Sequence, residues 1–312
     1  MSTRTAAHSS RASLRSADRS QEFNNDSHSA MFFLAPFVIL YVLFIIGPAI
    51  YGLVMSFFDT SLVKPGLSEF AGFGNYSEAL QSHDFWSSLW HTIWFTILTT
   101  PPLIVLGFVL ALLADRVARG RWFFRLAFFA PFILPSAVIA LIWLWIYTPG
   151  LGILQTALDK VGITAPNWLG DVTWAMPSLA ITTVWWTLGF NFILYLAGLQ
   201  DIPAELYEAS AIDGAGPWQQ IWSITVPLLA RTTTLVAVLQ VIASLKVFDQ
   251  MYIMTAGGPN FSTRSVLEYI YDEGFTNFRV GYASALSMLF FLVVLAVSAV
   301  WFMIVRSQES VV

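Results

Sequence analysis

Two charged residues stand where charge is expensive. Lys246 and Asp249 lie within a long apolar stretch, and an ionisable group at membrane depth is costly unless it is paired or faces water. They are three apart on one expected helix, so they can pair with each other. Either they form a structural ion pair facing the interior of a bundle, or they border a polar path. Other chemistry is poorly served. His8 and His28 lie near the N-terminus, His83 falls in a loop and His91 near the start of an apolar run, which is no metal-ligand spacing. There is no G-x-x-x-x-G-K-[ST] loop to cradle nucleotide phosphates, no H-E-x-x-H helix and no Gly-x-Ser-x-Gly elbow. Cysteine is absent, which excludes disulfides, iron–sulfur clusters and thiol catalysis. The expectation is a chain that is not an enzyme and holds no metal or cofactor of its own.

The elements that must position these residues are spans. Hydrophobic residues make up 57% of the chain and charged residues 11%, against about 25% charged in soluble domains, and the mean hydropathy is +0.68. A net charge of −4 gives no reason to expect a nucleic-acid partner. A membrane crossing takes about 20 mostly apolar residues, and six stretches qualify: 31–57, 89–113, 122–147, 173–199, 228–256 and 283–305. All must be helices, because a lipid-exposed chain has to satisfy its backbone internally. Residues 1–30 are rich in Ser and Arg and read as a disordered tail rather than a signal peptide. Residues 31–312 read as one membrane domain.

Charge orients the spans. With the N-terminus in the cytoplasm, Arg4, Arg11, Arg15, Arg19, Arg116, Arg119, Arg121, Arg125, Arg231 and Arg306 face inside, and only Lys64, Lys160, Arg264 and Arg279 face outside. Both termini are then cytoplasmic, and so is the polar island 201–227. Residues 81–90 read as an interfacial helix feeding the second span. Pro101-Pro102 reads as a kink, and 147–171 as an external loop.

The island, DIPAELYEASAIDGAGPWQQIWSITVP, reads as two short helices. Pro203 suits a first helical turn, with Asp201 as its cap, and Glu205 and Glu208 fall near the positive end. Gly214-Ala215-Gly216-Pro217 breaks the helix. Trp218, Ile221 and Trp222 give the second helix an apolar stripe, and Pro227 punctuates the entry to the next span. The order Glu208-Ala209-Ser210, then Gly214, Ile224 and Pro227 resembles the EAA signature of permease subunits of ATP-binding-cassette (ABC) importers: E-A-A, three residues, G, nine residues, I-x-L-P. Ser210 stands at the third alanine and Val226 at the leucine. EASAIDGAGPWQ is similar to the carbohydrate, maltose-type branch. So are ALLADRVARGRWFFRLAFFAPFILP, Gly72-Phe73-Gly74-Asn75-Tyr76 and Thr255-Ala256-Gly257-Gly258-Pro259.

The resemblance implies an all-α, six-span importer permease in the cytoplasmic membrane, forming half of a path for a sugar or related polyol. Its implied partners are a second permease, an ATPase dimer that carries the ATP and Mg, an extracytoplasmic solute-binding protein and membrane lipid. Glu208, Ala209, Ser210, Asp213, Gly214, Ala215, Gly216 and Pro227 would couple to the ATPase. Gly189, Asn191, Tyr195, Lys246 and Asp249 are candidates for the substrate path. Asn191 and Tyr195 share a helical face, where an amide can bond sugar hydroxyls and an aromatic ring can stack on a sugar. For Asn191 a helix-to-helix hydrogen bond is the competing role. The alternative function is an ion-coupled secondary transporter, which would be expected to show internal repeats, broken midplane helices and several buried carboxylates.

Overall fold

In the computed structural model, residues 33–115 and 121–309 are described. The tail expected at 1–30, with its arginines and both its histidines, lies outside them, as do Arg116 and Arg119. The chain divides into two units, 1–55 and 56–312. The first holds α1, Phe33–Met55, an apolar helix with no buried residue and a π-turn at Val42–Ile46.

In the second unit, β1 (Phe58–Ser61) and β2 (Lys64–Phe70) pair antiparallel. The helices that follow are α2 (Gly74–Gln81), α3 (His83–Asp115), α4 (Arg121–Ile133), α5 (Ser136–Tyr147), α6 (Ile153–Lys160) and α7 (Val172–Gln200). Then come α8 (Ala204–Ile212), α9 (Pro217–Leu228), α10 (Ala230–Leu245), α11 (Asp249–Thr255), α12 (Val266–Tyr271) and α13 (Val280–Glu309). Among the described residues four helices are long and apolar enough to cross a membrane, or up to six if each bent pair counts as one span.

The expected spans appear with four corrections. Span three is two helices, α4 and α5, bent by 97°, because Pro135 has no N–H to continue the ladder and pushes Leu134 out of helical geometry. Span five is α10 and α11, interrupted at 246–248. The interfacial helix expected at 81–90 is instead the first two turns of α3, which continues through Pro101 and Pro102 as one helix. The loop at 147–171 contains α6.

Helix α3 is the mast of the second unit. Phe85 and Leu89 join a core layer with Tyr269, Tyr282 and Leu286. Phe95 joins a layer with Tyr147, Leu179 and Met251. Ala111 and Ala114 join a third with Phe192, Leu196 and Leu229. Threonine is the commonest polar residue type of this interior, and several threonine hydroxyls bond their own helix. Thr92, Thr96 and Thr99 donate to the carbonyls of Ser88, Thr92 and Phe95, and Thr182 and Thr183 to those of Ser178 and Leu179. This back-bonding lets a hydroxyl enter an apolar bundle without an orphaned donor.

The element Gly72–Tyr76 is a staple. Asn75 Nδ2 donates to the carbonyls of Ser56 and Phe58, each at 3.0 Å, and the Tyr76 hydroxyl lies 2.6 Å from Ser56 Oγ. Gly281 admits the hairpin against α13, since a Cβ there would lie 2.0 Å from the Phe58 carbonyl oxygen.

At the same end, Arg264 ties the 256–272 segment to α3. It is 7% exposed, its guanidinium lies 3.3 Å from Asp84 Oδ2, and it stacks on the rings of Phe261 and Tyr269. The Val266 N–H donates to Thr92 Oγ1. Glu268 is buried beside them. Its burial, and then the negative charge of Asp272, push its carboxyl up to about 7, against smaller opposing effects from a backbone bond at Ser265 and the Arg264 charge. The native state therefore binds this proton where the unfolded chain does not. Stability contributed here is greatest in acid and falls as pH rises from the ordinary value of 4.5 through about 7. We expect Glu268→Gln to flatten the pH dependence of thermal unfolding in detergent across that window and to stabilise the protein at pH 8. An unchanged pH profile would show that Glu268 is already solvated.

Candidate functional site

The island 201–227 folds as two short helices meeting at a corner. Asp201 does not cap α8; it terminates α7, and Pro203 occupies the cap position of α8. The end of α8 is a Schellman motif: Ala215 N–H donates to the Ser210 carbonyl at 2.9 Å and Gly214 N–H to the Ala211 carbonyl at 3.1 Å. The motif requires a left-handed residue after the cap residue Asp213, and Gly214 supplies it at φ +87°. Gly216 is the N-cap of α9 and Pro217 its first residue. Pro227 does not end this helix but lies inside α9, after a π-turn at Ile221–Thr225. The chain then bends by 63° into α10.

Glu208, Ala209, Asp213, Gly214, Gly216 and Pro227 are exposed; Ser210 and Ala215 are half-buried. The exposed side carries three large apolar residues: Ile212 at 87%, Trp218 at 75% and Trp222 at 66%. Ile212 was not singled out from sequence, although a bulky apolar residue between two polar turns of a loop is a readable signal. An apolar groove of about 540 Å³ adjoins this loop, lined by Phe108, Leu112, Trp218, Trp222, Val226 and their neighbours. Its lining suits hydrocarbon rather than a polar solute.

The path residues separate into two groups. Gly189 faces the backbone of α4, where a Cβ would lie 2.0 Å from the Phe128 carbonyl oxygen. Asn191 is fully buried and accepts a 2.8 Å hydrogen bond from Gln240 Nε2, and its Cβ sits over Gly107 of α3. Tyr195 is buried, edge-on to Phe108. In this conformation all three join helices, Asn191 by the helix-to-helix hydrogen bond. Lys246 and Asp249 are exposed, and the interruption at 246–248 removes the i, i+3 geometry that would have paired them. Among the described residues no ion pair joins them. Asp249 instead opens α11 and accepts a hydrogen bond from Ser136 Oγ, the first residue of α5. The two interrupted spans meet at that bond. Nearby, Trp186 Nε1 donates to the Leu134 carbonyl that the Pro135 break releases. Among the described residues no cluster of three or more His, Cys, Asp or Glu could hold a metal.

Comparisons with known proteins bear on this arrangement of an exposed loop and interrupted spans. Residues 103–307 match the family of the binding-protein-dependent transport system inner membrane component. The chain belongs to that family. It is 35% identical over 280 residues to the sulfoquinovosyl glycerol transport system permease protein SmoG of Agrobacterium fabrum, covering 90% of this chain and 91% of that one. It is 34% identical to the sn-glycerol-3-phosphate transport system permease protein UgpA of the same organism, covering 88% and 94%. A third relative is the trehalose/maltose transport system permease protein MalF of Thermococcus litoralis, 33% identical over 77% of this chain and 81% of that one. The fold is similar to that of a chain in the crystal structure of a bacterial ABC transporter involved in alginate import, with a TM-score of 0.81 and 23% identity over 93% of this chain and 99% of that one. This chain is accordingly a multi-pass membrane component of a transport system.

Two predictions follow from the geometry. Gly214→Ala meets no neighbour, since nothing lies within 4 Å of a Cβ there, so its cost is backbone strain alone, about 1 kcal/mol. We expect the subunit to insert normally and transport to fall, with Gly214→Asn, which tolerates the left-handed region, keeping more activity than Gly214→Ala. Equal transport by all three would remove the special role of this turn. Gly189→Ala collides with the Phe128 carbonyl and should destabilise the folded subunit by about 2–3 kcal/mol, read as a lowered thermal midpoint in detergent. Full stability with altered solute selectivity would instead put Gly189 on the path.

Proposed function

We propose that this chain is one permease subunit of an ATP-driven ABC importer for a sugar or related polyol, with the 201–227 loop docking on a cytoplasmic ATPase. The observation that carries this reading is the exposed corner built by Glu208, Ile212 and the Gly214 turn, on a family member without a nucleotide-binding loop. The ATPase must lie on the ATP side, so the loop and both termini are cytoplasmic, as the basic residues of the sequence suggest. The partners are a second permease of similar fold, two ATPase subunits that bind ATP and Mg, and a solute-binding protein on the opposite side. Relatives named for sulfoquinovosyl glycerol, glycerol 3-phosphate and trehalose/maltose transport support a sugar or polyol and leave the particular one open.

The mechanism is a two-state rocking of spans. ATP binding closes the ATPase pair, the docked α8 follows, and α9 and α10 carry the movement into the bundle; hydrolysis resets it. Glu208 offers a charge-assisted hydrogen bond to a basic ATPase residue, worth up to ~3 kcal/mol. Lys246 and Asp249 border the solute path where spans three and five are interrupted. A lone lysine exposed at membrane depth is tolerable only beside water or a partner, which is the argument for their position. Gly189, Asn191 and Tyr195 support the path by holding the helices around it. An ion-coupled secondary transporter would leave the exposed loop without a use.

Glu208→Lys tests the docking directly. We expect the variant to insert in the membrane, to lose uptake and to recover much less ATPase subunit on affinity purification from native membranes in mild detergent. Normal uptake by this variant would sink the docking role of Glu208. Recovery of the parent chain with no ATPase, second permease or binding protein would sink the importer reading.

A further inference from the structure

The coupling loop has a mechanical weakness that its sequence makes plain. Gly214 and Gly216 flank Ala215, neither glycine has a neighbour within 4 Å of where a Cβ would lie, and α8 buries no side chain. Apolar packing therefore does little to hold α8 at a fixed angle to α9, and a pull on Glu208 or Ile212 could be absorbed at the Gly214–Gly216 corner. A set of polar contacts bridges the corner instead. Gln220 Nε2, from α9, donates to Ser210 Oγ at 2.9 Å and to the Tyr207 carbonyl at 3.1 Å. Ser210 Oγ in turn donates to the Tyr207 carbonyl at 2.9 Å, so the one hydroxyl both gives and receives. The Tyr207 ring reaches further along α9, its hydroxyl 2.9 Å from Thr225 Oγ1. Thr225 is 2% exposed, and its carbonyl accepts the Leu229 N–H at the bend into α10.

We propose that Ser210 and Gln220 form a latch that makes α8 and α9 one rigid lever, and that they are positioning residues for the transport step. This rests on the coupling reading above. With the latch closed, displacement of α8 must pass through Gln220 and Thr225 to the bend at Leu229. With it open, α8 swivels on its two glycines while α10 stays. The serine completes this latch: an alanine, which the EAA signature has at this place, can neither accept from Gln220 nor donate to Tyr207, and would leave Gln220 only its bond to the Tyr207 carbonyl. Glu208 and the turn meet the partner; Ser210 and Gln220 act through them.

The chain has no cysteine, so it can be labelled at introduced cysteines and then assembled with unlabelled partners, without background from this subunit. In that complex, held in lipid nanodiscs, spin labels at Ala211→Cys and Gln219→Cys report the angle between α8 and α9. Labels at Ala211→Cys and Arg231→Cys report whether α10 follows the loop when vanadate and Mg-ATP trap the ATPase. The parent should give one narrow distance for each pair, the second unchanged on trapping. Gln220→Leu and Ser210→Ala should broaden the first distribution, with the displaced population rising about fivefold per bond lost, and should let the second distance shift on trapping. Ser210→Thr, which keeps the hydroxyl, should behave as the parent. The double variant should add little to Gln220→Leu alone, because the two residues act as one unit. Distributions as narrow as the parent's in both Gln220→Leu and Ser210→Ala would overturn the latch. Broadening without any shift of the second distance on trapping would overturn its role as a lever. If no ATPase subunit accompanies the chain, the coupling reading fails with the lever, while the width of the first distribution still decides the latch.

Discussion

The structure depends above all on the fact that hydrocarbon offers no partner to a freed backbone group. A helix satisfies itself, so the chain is mostly helix, and each departure from helix needs a side chain from elsewhere. The pattern is consistent. The Leu134 carbonyl, released by Pro135, receives the indole N–H of Trp186. Where the chain leaves helix for the hairpin, the carbonyls of Ser56 and Phe58 receive the Asn75 amide. The N–H of Val266, at the start of α12, finds Thr92 on α3. These bonds hold distant parts of the chain together as a by-product of repairing its interruptions.

The same constraint shapes the packing. With no hydrophobic drive between helices in lipid, close approach and polar contacts must hold them. Gly107 lets α3 meet Asn191 of α7, and Gly189 lets α7 meet the backbone of α4. Asn191 adds its bond to Gln240 of α10. The residues that look most suited to a sugar by type are thus the ones that join helices, and the charged residues that look most suited to a structural pair stand apart at an interruption.

How legible was this from the sequence? The spans were, because length and hydropathy report them directly. The two-helix form of the 201–227 loop was, because Gly214-Ala215-Gly216-Pro217 breaks a helix and restarts one, as the left-handed Gly214 and the Gly216 cap show. The 97° break is readable from Pro135, which denies the helix an N–H within an otherwise apolar stretch. The break at 246–248 is not: Lys246-Val247-Phe248 contains neither Gly nor Pro, and it forms through tertiary contacts such as Ser136 with Asp249. The hairpin was hidden because β1 and β2 are too short to show alternation, and its support comes from an asparagine and a glycine elsewhere in the chain. Arg264 shows what a charge count leaves out. Counted as an external charge by topology, it is buried between Phe261, Tyr269 and Asp84, so a loop cation here serves cohesion.

The two ends of the second unit obtain stiffness by different means. At the Arg264 end a buried charge, two aromatic faces and a core layer of tyrosines hold the segments, and stability there depends on pH. At the loop end α8 buries no side chain, so stiffness must come from directed bonds at a corner built on glycines. Between them lie the interruptions of spans three and five, touching through Ser136 and Asp249. A bundle with firm ends and interrupted spans between them has its compliance concentrated at those interruptions. That is where Lys246 and Asp249 are exposed, and a change of angle at the loop need only be carried as far as that level to alter what they face.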